Sequence, residues 1–474
     1  MREDTGGVSD REVRIWVVAM LVGAAVLRLT AAANGGLWLD EAWSATFAFE
    51  VGTPAGIWFN IGHDNNHHWN TLWLQLTGLG APPVVSRLLS VATGVAAVPL
   101  AAAIAARWGR PQAMIAAALF AFSPILVTYG SEARGYAPMV LALLVAIRLT
   151  QRMIAGEDDG AAPGRIAASL FIGLFAQLTL VFALPALAGW HLVARAMAGS
   201  WREATVTTAR RFAPAVLASI AVIAFVFASA HARGGFTFGE YTRFSPGHFA
   251  TALDQLAAYT LGLAGLPAGI GAATAIVLLL IALVVERLRG PMPFIVLATL
   301  AFPATVALLR LGNSQFPRYY LLAAVALLLM LARVGGRAMA TPGPARVATM
   351  LGLGLAAIGA LATNDATIHA ARGHPERALA PIVAATPGKS RVWVASTRSI
   401  APLRAAAAVA GDPLSISTAP CPDADFLYVD GPPDDRLAPR LAACGVRAQP
   451  IRAGVTGGLS GTAWRLYRVV PDPR

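Results

Sequence analysis

Apolar residues run in blocks of about twenty along most of the chain, with short polar clusters between them. A helix needs about 20 mainly apolar residues to cross the hydrocarbon core of a bilayer. By that measure spans fall at 14–33, 84–107, 111–129, 136–152, 164–180, 182–198, 212–230, 268–287, 293–311, 319–335 and 345–363, eleven in all. The charged start "MREDTGGVSDREVR" has no small-residue cleavage site at signal-peptide distance, so the first block reads as a retained membrane helix. After residue 363 the pattern changes: polar residues and prolines return. The segments 390–397, 425–431 and 463–471 read as short strands and 374–386 as a helix, which predicts a small α/β domain over 364–474.

Charge sets the sides. Lys and Arg favour the cytoplasmic loops of membrane proteins. The basic loops 106–111, 148–152, 194–211, 286–291 and 333–346 all fall on one side when the N-terminus is cytoplasmic. The loops 34–83, 130–135, 231–267 and 312–318 then face outward, and so does the C-terminal domain. Counting 248–267 as a span would move the basic loop 286–291 outside. It therefore reads as an interfacial or re-entrant helix on the outer side.

Composition agrees with a bilayer solvent. Only 13% of the 474 residues are charged and 56% are hydrophobic, with a mean hydropathy of +0.60. Soluble domains carry about 25% charged residues. The net charge of +12 is carried largely by the loop arginines, without a basic helix or an aromatic platform, so nucleic acid is excluded as a partner. With only Cys421 and Cys444, a four-cysteine zinc site is impossible. In an oxidising outer space the two either pair or remain unpaired buried thiols. The Ala-, Gly- and Arg-rich composition points to a bacterial inner (cytoplasmic) membrane.

Against this background the outer loops stand out. "NGGLWLDEAWSA" (34–45) sets Asp40 and Glu41 side by side between Trp38 and Trp43. The rest of loop 34–83 is rich in aromatics, and "DEAWSATFAFE" and "NHHWNTLWLQLTGL" have the spacing of helices lying along a membrane surface. The second outer loop carries Glu132, Arg134 and Tyr136, which share a face if the stretch is extended. The third carries Arg318 and Tyr319. His63, Asp64, His67 and His68 form either an acceptor-facing polar surface or ligands for a divalent metal such as zinc or manganese, and no metal is assigned. Arginines grip phosphate through forked hydrogen bonds, and a carboxylate takes a proton from an attacking hydroxyl. Such a collection suits a lipid-phosphate-linked sugar entering from the bilayer.

The series "LWLDEAWSA", "HDNNHHWNTLWLQL", "RLLSVATGVAAVPLAA", "SPILVTYGSEARGYAPMVLALL" and "FPRYYLLAAVALLLMLA", in that order over residues 14–335, resembles the GT-C superfamily of membrane glycosyltransferases. Glycosyltransferase family 39, with its protein mannosyltransferases and aminoarabinose transferases, is the branch it resembles. The resemblance implies an α-helical polytopic enzyme over 1–363 that takes a sugar from a polyprenyl-phosphate donor at the outer face, usually with inversion, and passes it to a lipid, glycan or protein acceptor. It implies Asp40 as the base or acceptor-orienting acid with Glu41 beside it, and Glu132 as the acid of the second loop. Arg134, Tyr136, Arg318 and Tyr319 match donor-phosphate positions. "HDNNHHWNTL" departs from the Pro-Pro-Leu-Tyr-like stretch that relatives often carry after the His-Asp pair.

The rival reading is a transporter or flippase for lipid-linked sugars. Such proteins often have repeated halves and polar sites near the bilayer midplane. This chain has no internal repeat, and its charges gather at one surface. A binding or sensor protein leaves the carboxylates unexplained. No G-x-x-x-x-G-K-[ST] loop occurs, which fits a lipid-linked donor rather than a nucleotide.

Overall fold

The computed structural model describes residues 9–239, 241–385, 390–431 and 435–472. Most of these are helical. Seven helices are long and apolar enough to cross a membrane: Asp10–Ala33, Leu88–Ala105, Tyr136–Ile154, Leu178–Ala196, Trp201–His231, Pro317–Ala340 and Pro344–His369. Shorter apolar helices occupy Ala162–Ala176, Ile270–Glu286 and Met292–Leu308. The protein is a multi-pass membrane protein.

The expected span 111–129 is broken. Arg110–Phe122 ends at Ser123, and a short helix, Pro124–Tyr129, restarts. Pro124 has no N–H to give the preceding turn, so carbonyls at the helix end lose their partners. The buried Arg28 supplies donors to Phe120 O at 2.9 Å and Ala121 O at 2.8 Å. Asn364 supplies one to Phe122 O at 2.9 Å. The stretch 248–267 forms the 16-residue helix Pro246–Leu261, which packs against Ile270–Glu286.

Loop 34–83 folds into short helices, Leu39–Val51, Pro54–Phe59 and His68–Thr77, at one end of the bundle. Beyond residue 390 lies a five-stranded sheet of order β2-β1-β3-β5-β4. Its strands are β1 (Arg391–Val394), β2 (Ser415–Ser417), β3 (Phe426–Asp430), β4 (Val446–Gly454) and β5 (Trp464–Pro471). β2, β1 and β3 are parallel, and β5 runs antiparallel to both β3 and β4. Side-chain alternation divides its core between two faces. Val392, Phe426, Trp464 and Leu466 lie on one, and Trp393, Leu427 and Tyr467 on the other. Cys421 and Cys444 form a disulfide.

The sheet unit sits against the short helices of the first loop. Ala401 and Ala405, on helix Ile400–Ala410, share a buried cluster with Leu37, Ala42, Ala45, Ala48 and Leu74. Alanines on both sides let the helix backbones approach closely. The buried Arg372 donates to Ala31 O at 3.0 Å and to Ser131 O at 2.8 Å. Glu376 accepts from Gly36 N at 2.7 Å. The same end of the bundle therefore gathers the first loop, the second loop and the C-terminal unit.

Candidate active site

Helix Leu39–Val51 begins where "DE" stands, and its first turn explains the pair. Neighbouring residues on a helix project about 100° apart, so the two carboxylates face different surroundings. Glu41 turns inward and is fully buried. It accepts from Arg87 Nε at 2.8 Å and Nη2 at 2.6 Å, from Ala133 N at 2.7 Å and from its own helix start at Trp38 N, 3.3 Å. Arg87 spends its remaining donors on carbonyls 32 and 34–36. Burial alone would raise the Glu41 pKa. The Arg87 guanidinium more than offsets this and holds the carboxyl below its ordinary value. Glu41 is thus a clamp joining the first helix, the first loop and the second loop.

Asp40 turns the other way, into a cavity of about 220 Å³. Its Oδ2 lies 2.5 Å from Arg134 Nη1 and 3.5 Å from Arg318 Nη2. Arg134 also donates to Asn65 Oδ1 at 2.7 Å, and Asn65 Nδ2 returns to the Asp40 carbonyl at 2.6 Å. The Arg134 guanidinium stands 5.0 Å from the Tyr136 ring and that of Arg318 stands 4.0 Å from the Phe316 ring. Cation–π contact holds both planes in place. Three segments far apart in sequence therefore place one carboxylate between two arginines.

Seven of the residues singled out from sequence line this cavity: Asp40, Asp64, His67, Arg134, Tyr136, Arg318 and Tyr319. Four do not. Glu41 is clamped as described. His63 packs behind the wall, its ring 5.2 Å from Trp43 and 4.9 Å from Phe47. His68 is buried between Trp58 and Phe175, and burial pulls its pKa down to about 4. Glu132 lies behind the cavity, and this corrects the extended reading of its loop. Residues 130–135 form turns, with Arg134 N bonded to Glu132 O at 2.8 Å, so 132 and 134 do not share a face. The Glu132 carboxyl is fully buried, with the Ser460 side chain beside it. Burial raises its pKa against the opposing pull of Arg372, which favours the neutral acid.

Among the described residues no three His, Cys, Asp or Glu side chains converge to hold a metal ion. His67 is turned to Ala176 and His68 to the aromatic cluster, so "HDNNHH" does not form the ligand set it allowed.

The cavity also holds residues that the sequence did not mark. Asn65 hid inside "HDNNHH". Arg398, Leu459, Gly461 and Thr462 come from the C-terminal unit and roof the cavity. Arg398 stands 6.0 Å from the Trp43 ring and 3.0 Å from Asp430. No spacing signal connects residues more than 350 positions apart.

No family model and no curated relative matches the sequence. Solved structures do. ArnT from Cupriavidus metallidurans in the apo state superposes with a TM-score of 0.59 at 15% identity, over 96% of this chain and 98% of that one. The GT-C fold is therefore the fold of this chain. The same ArnT bound to undecaprenyl phosphate gives a TM-score of 0.56 at 16% identity, over 95% of this chain and 98% of that one. The likeness spans both the helical bundle and the C-terminal sheet, so the GT-C fold accounts for the whole chain.

A second cavity, of about 710 Å³ and almost wholly apolar, lies between helices His68–Thr77, Leu88–Ala105, Tyr136–Ile154 and Ala162–Ala176. Trp69, Trp73 and Leu141 are among its walls. Helix Tyr136–Ile154 starts in the polar cavity at Tyr136 and continues into the apolar one at Pro138 and Leu141.

Proposed function

We propose that this protein is a glycosyltransferase that moves a hexose or pentose from a polyprenyl-phosphate donor to an acceptor hydroxyl or other nucleophile, with inversion. The carrying observation is the cavity in which Asp40 stands between Arg134 and Arg318. ArnT, which shares the fold, is known with undecaprenyl phosphate bound, and this supports a donor of that class. The membrane is the bacterial inner membrane and the cavity opens on its outer side. The polyprenyl chain lies along the apolar cavity and the phosphate meets the two arginines.

The chemistry follows from the charges. The acceptor oxygen bonds to the anomeric carbon, and its proton passes to the Asp40 carboxylate. The bond from the anomeric carbon to the phosphate oxygen breaks, and the electron pair leaves with polyprenyl phosphate. Arg134 and Arg318 stabilise the extra negative charge on that phosphate, and burial strengthens their effect. Without donor, the same arginines hold Asp40. An incoming phosphate competes for them and frees the carboxylate for the acceptor, so donor binds before acceptor.

The test is an assay of purified protein with undecaprenyl-phosphate hexoses and pentoses and with lipid, glycan and peptide acceptors. Release of undecaprenyl phosphate that depends on acceptor is expected. Passage of the intact lipid-linked sugar across a vesicle bilayer, without release, would instead make the protein a flippase.

A further inference from the structure

His67 is 2% exposed, yet its ring forms part of the wall of the polar cavity. Its Nδ1 lies 3.0 Å from the Ala176 carbonyl oxygen. A carbonyl only accepts, so Nδ1 carries the hydrogen and Nε2 carries the lone pair of a neutral imidazole. Burial and the nearby charges of Arg134 and Arg318 keep the ring neutral by holding its pKa well below the ordinary value. The backbone protects this arrangement: a Cβ at Gly135 would stand 1.9 Å from Ala176 O and 3.0 Å from His67 Nδ1. Glycine at 135 is what lets the imidazole reach the carbonyl. Nε2 is buried and has no hydrogen-bond partner. A buried acceptor left unpaired is costly, and sites that keep one generally satisfy it with a ligand.

The chemistry of that ligand is constrained. A lone pair repels phosphate oxygen and attracts an O–H or N–H. The charged groups in the cavity are guanidiniums and carboxylates, and His67 adds a buried neutral acceptor beside them. Position selects the source. The His67 ring lies 5.3 Å from the Tyr136 ring, which in turn lies 5.0 Å from the Arg134 guanidinium. His67 is one aromatic ring removed from the phosphate-binding arginine, where the sugar joined to that phosphate must sit. We infer that His67 Nε2 accepts a hydrogen bond from a free hydroxyl of the donor sugar, making His67 a specificity-determining residue for the donor. This rests on the glycosyltransferase reading above.

Two substitutions separate the ends of the imidazole. In His67→Asn the amide nitrogen can keep the bond to Ala176 but nothing replaces Nε2. In His67→Gln a carbonyl oxygen reaches the Nε2 position. Binding of bare undecaprenyl phosphate and of undecaprenyl-phosphate hexoses and pentoses is measured on the full purified chain without acceptor. Each sugar is used intact and with single hydroxyls removed. His67→Asn is expected to hold bare undecaprenyl phosphate within twofold of wild type and to bind the preferred sugar-loaded lipid roughly three- to tenfold more weakly, the range of one neutral hydrogen bond. His67→Gln should recover most of that loss. Wild type should lose a similar factor when one particular hydroxyl is removed, and His67→Asn should be indifferent to it. Equal weakening for bare and sugar-loaded lipid would make His67 a structural residue and overturn the inference. So would a His67→Asn protein that binds and discriminates like wild type. If wild type binds and uses no sugar-loaded lipid at all, the glycosyltransferase reading itself fails, a result distinct from either.

Discussion

Asp40 and Glu41 are adjacent in sequence and opposite in role. In the proposed mechanism Asp40 shares Arg134 and Arg318 with the donor phosphate, so its substitution has two effects. Asp40→Asn should lower turnover by roughly 10²–10⁴-fold, the usual contribution of a general base. The same change should tighten undecaprenyl phosphate binding, because the carboxylate no longer competes for Arg134 and Arg318. Single-turnover rates and a direct binding titration separate the two effects. Weaker phosphate binding would mean that Asp40 orders the arginines rather than competes for them. Glu41→Gln is a stability change. Breaking one side of a buried ion pair costs about 3–5 kcal/mol, and Glu41 and Arg87 are both fully buried. The expected outcome is a large fall in Tm in detergent, much larger than for Asp40→Asn. The resemblance singled out Asp40 as the base with Glu41 beside it, but gave no structural reason for their ranking. Their ranking depends on Arg87, 46 residues away in a stretch that reads as apolar span.

At the level of elements, hydrophobic periodicity was a good guide where solvent, or lipid, selects the pattern. It was a poor guide where a single residue intervenes. The break at Pro124 is invisible in a run that stays apolar on both sides, because it is repaired by Arg28 and Asn364 from distant helices. β4 escaped because Pro450 interrupts it, a residue tolerated on an edge strand at the bulge between Pro450 and Arg452. The loop 130–135 is turned rather than extended, so the condition under which Glu132 shares a face with Arg134 is not met. The helix His68–Thr77 also gives a pH prediction. His68 has a folded pKa of about 4 against 6.5 for the free side chain, and His67 is shifted in the same direction. The unfolded chain therefore binds protons first as pH falls, and stability present above pH 6.5 is lost progressively towards pH 4. In thermal melts from pH 7 to 4.5, wild type should lose more Tm than His68→Gln, which cannot take up that proton. Parallel pH profiles would mean that His68 is not held neutral in the fold.

At the scale of the whole molecule, the C-terminal unit is part of the wall of the polar cavity rather than an appendage. The sequence suggested a separate α/β unit but gave no hint that it supplies a wall, since Arg398, Leu459, Gly461 and Thr462 meet the first loop only in the folded chain. Its attachment combines the alanine-rich contact of helix Ile400–Ala410 with a local polar joint. Arg372, with a left-handed φ of 57°, donates to Ala31 O, Ser131 O and Ser131 Oγ. Gly461 fits against it so closely that a Cβ there would stand 2.5 Å from Arg372 Cα. The surface pair Arg404–Glu50 contributes little, because both groups are half exposed and screened. The polar joint therefore rests on Arg372, whose hydrogen bonds are charge-assisted and worth about 1.5–3 kcal/mol each. Arg372→Ala should loosen the roof without unfolding the sheet, whose second core face, around Trp393, Leu427 and Leu441, lies away from the joint. Three readouts belong together. Cleavage by added protease between 371 and 390 should quicken, the released C-terminal sheet should itself resist the protease, and turnover should fall while undecaprenyl phosphate still binds. Phosphate binding survives because Arg134 and Arg318 belong to the second and third loops of the bundle, and turnover falls because the cavity has lost its cover. If turnover holds while the joint is cleaved readily, the roof is not part of the catalytic chamber.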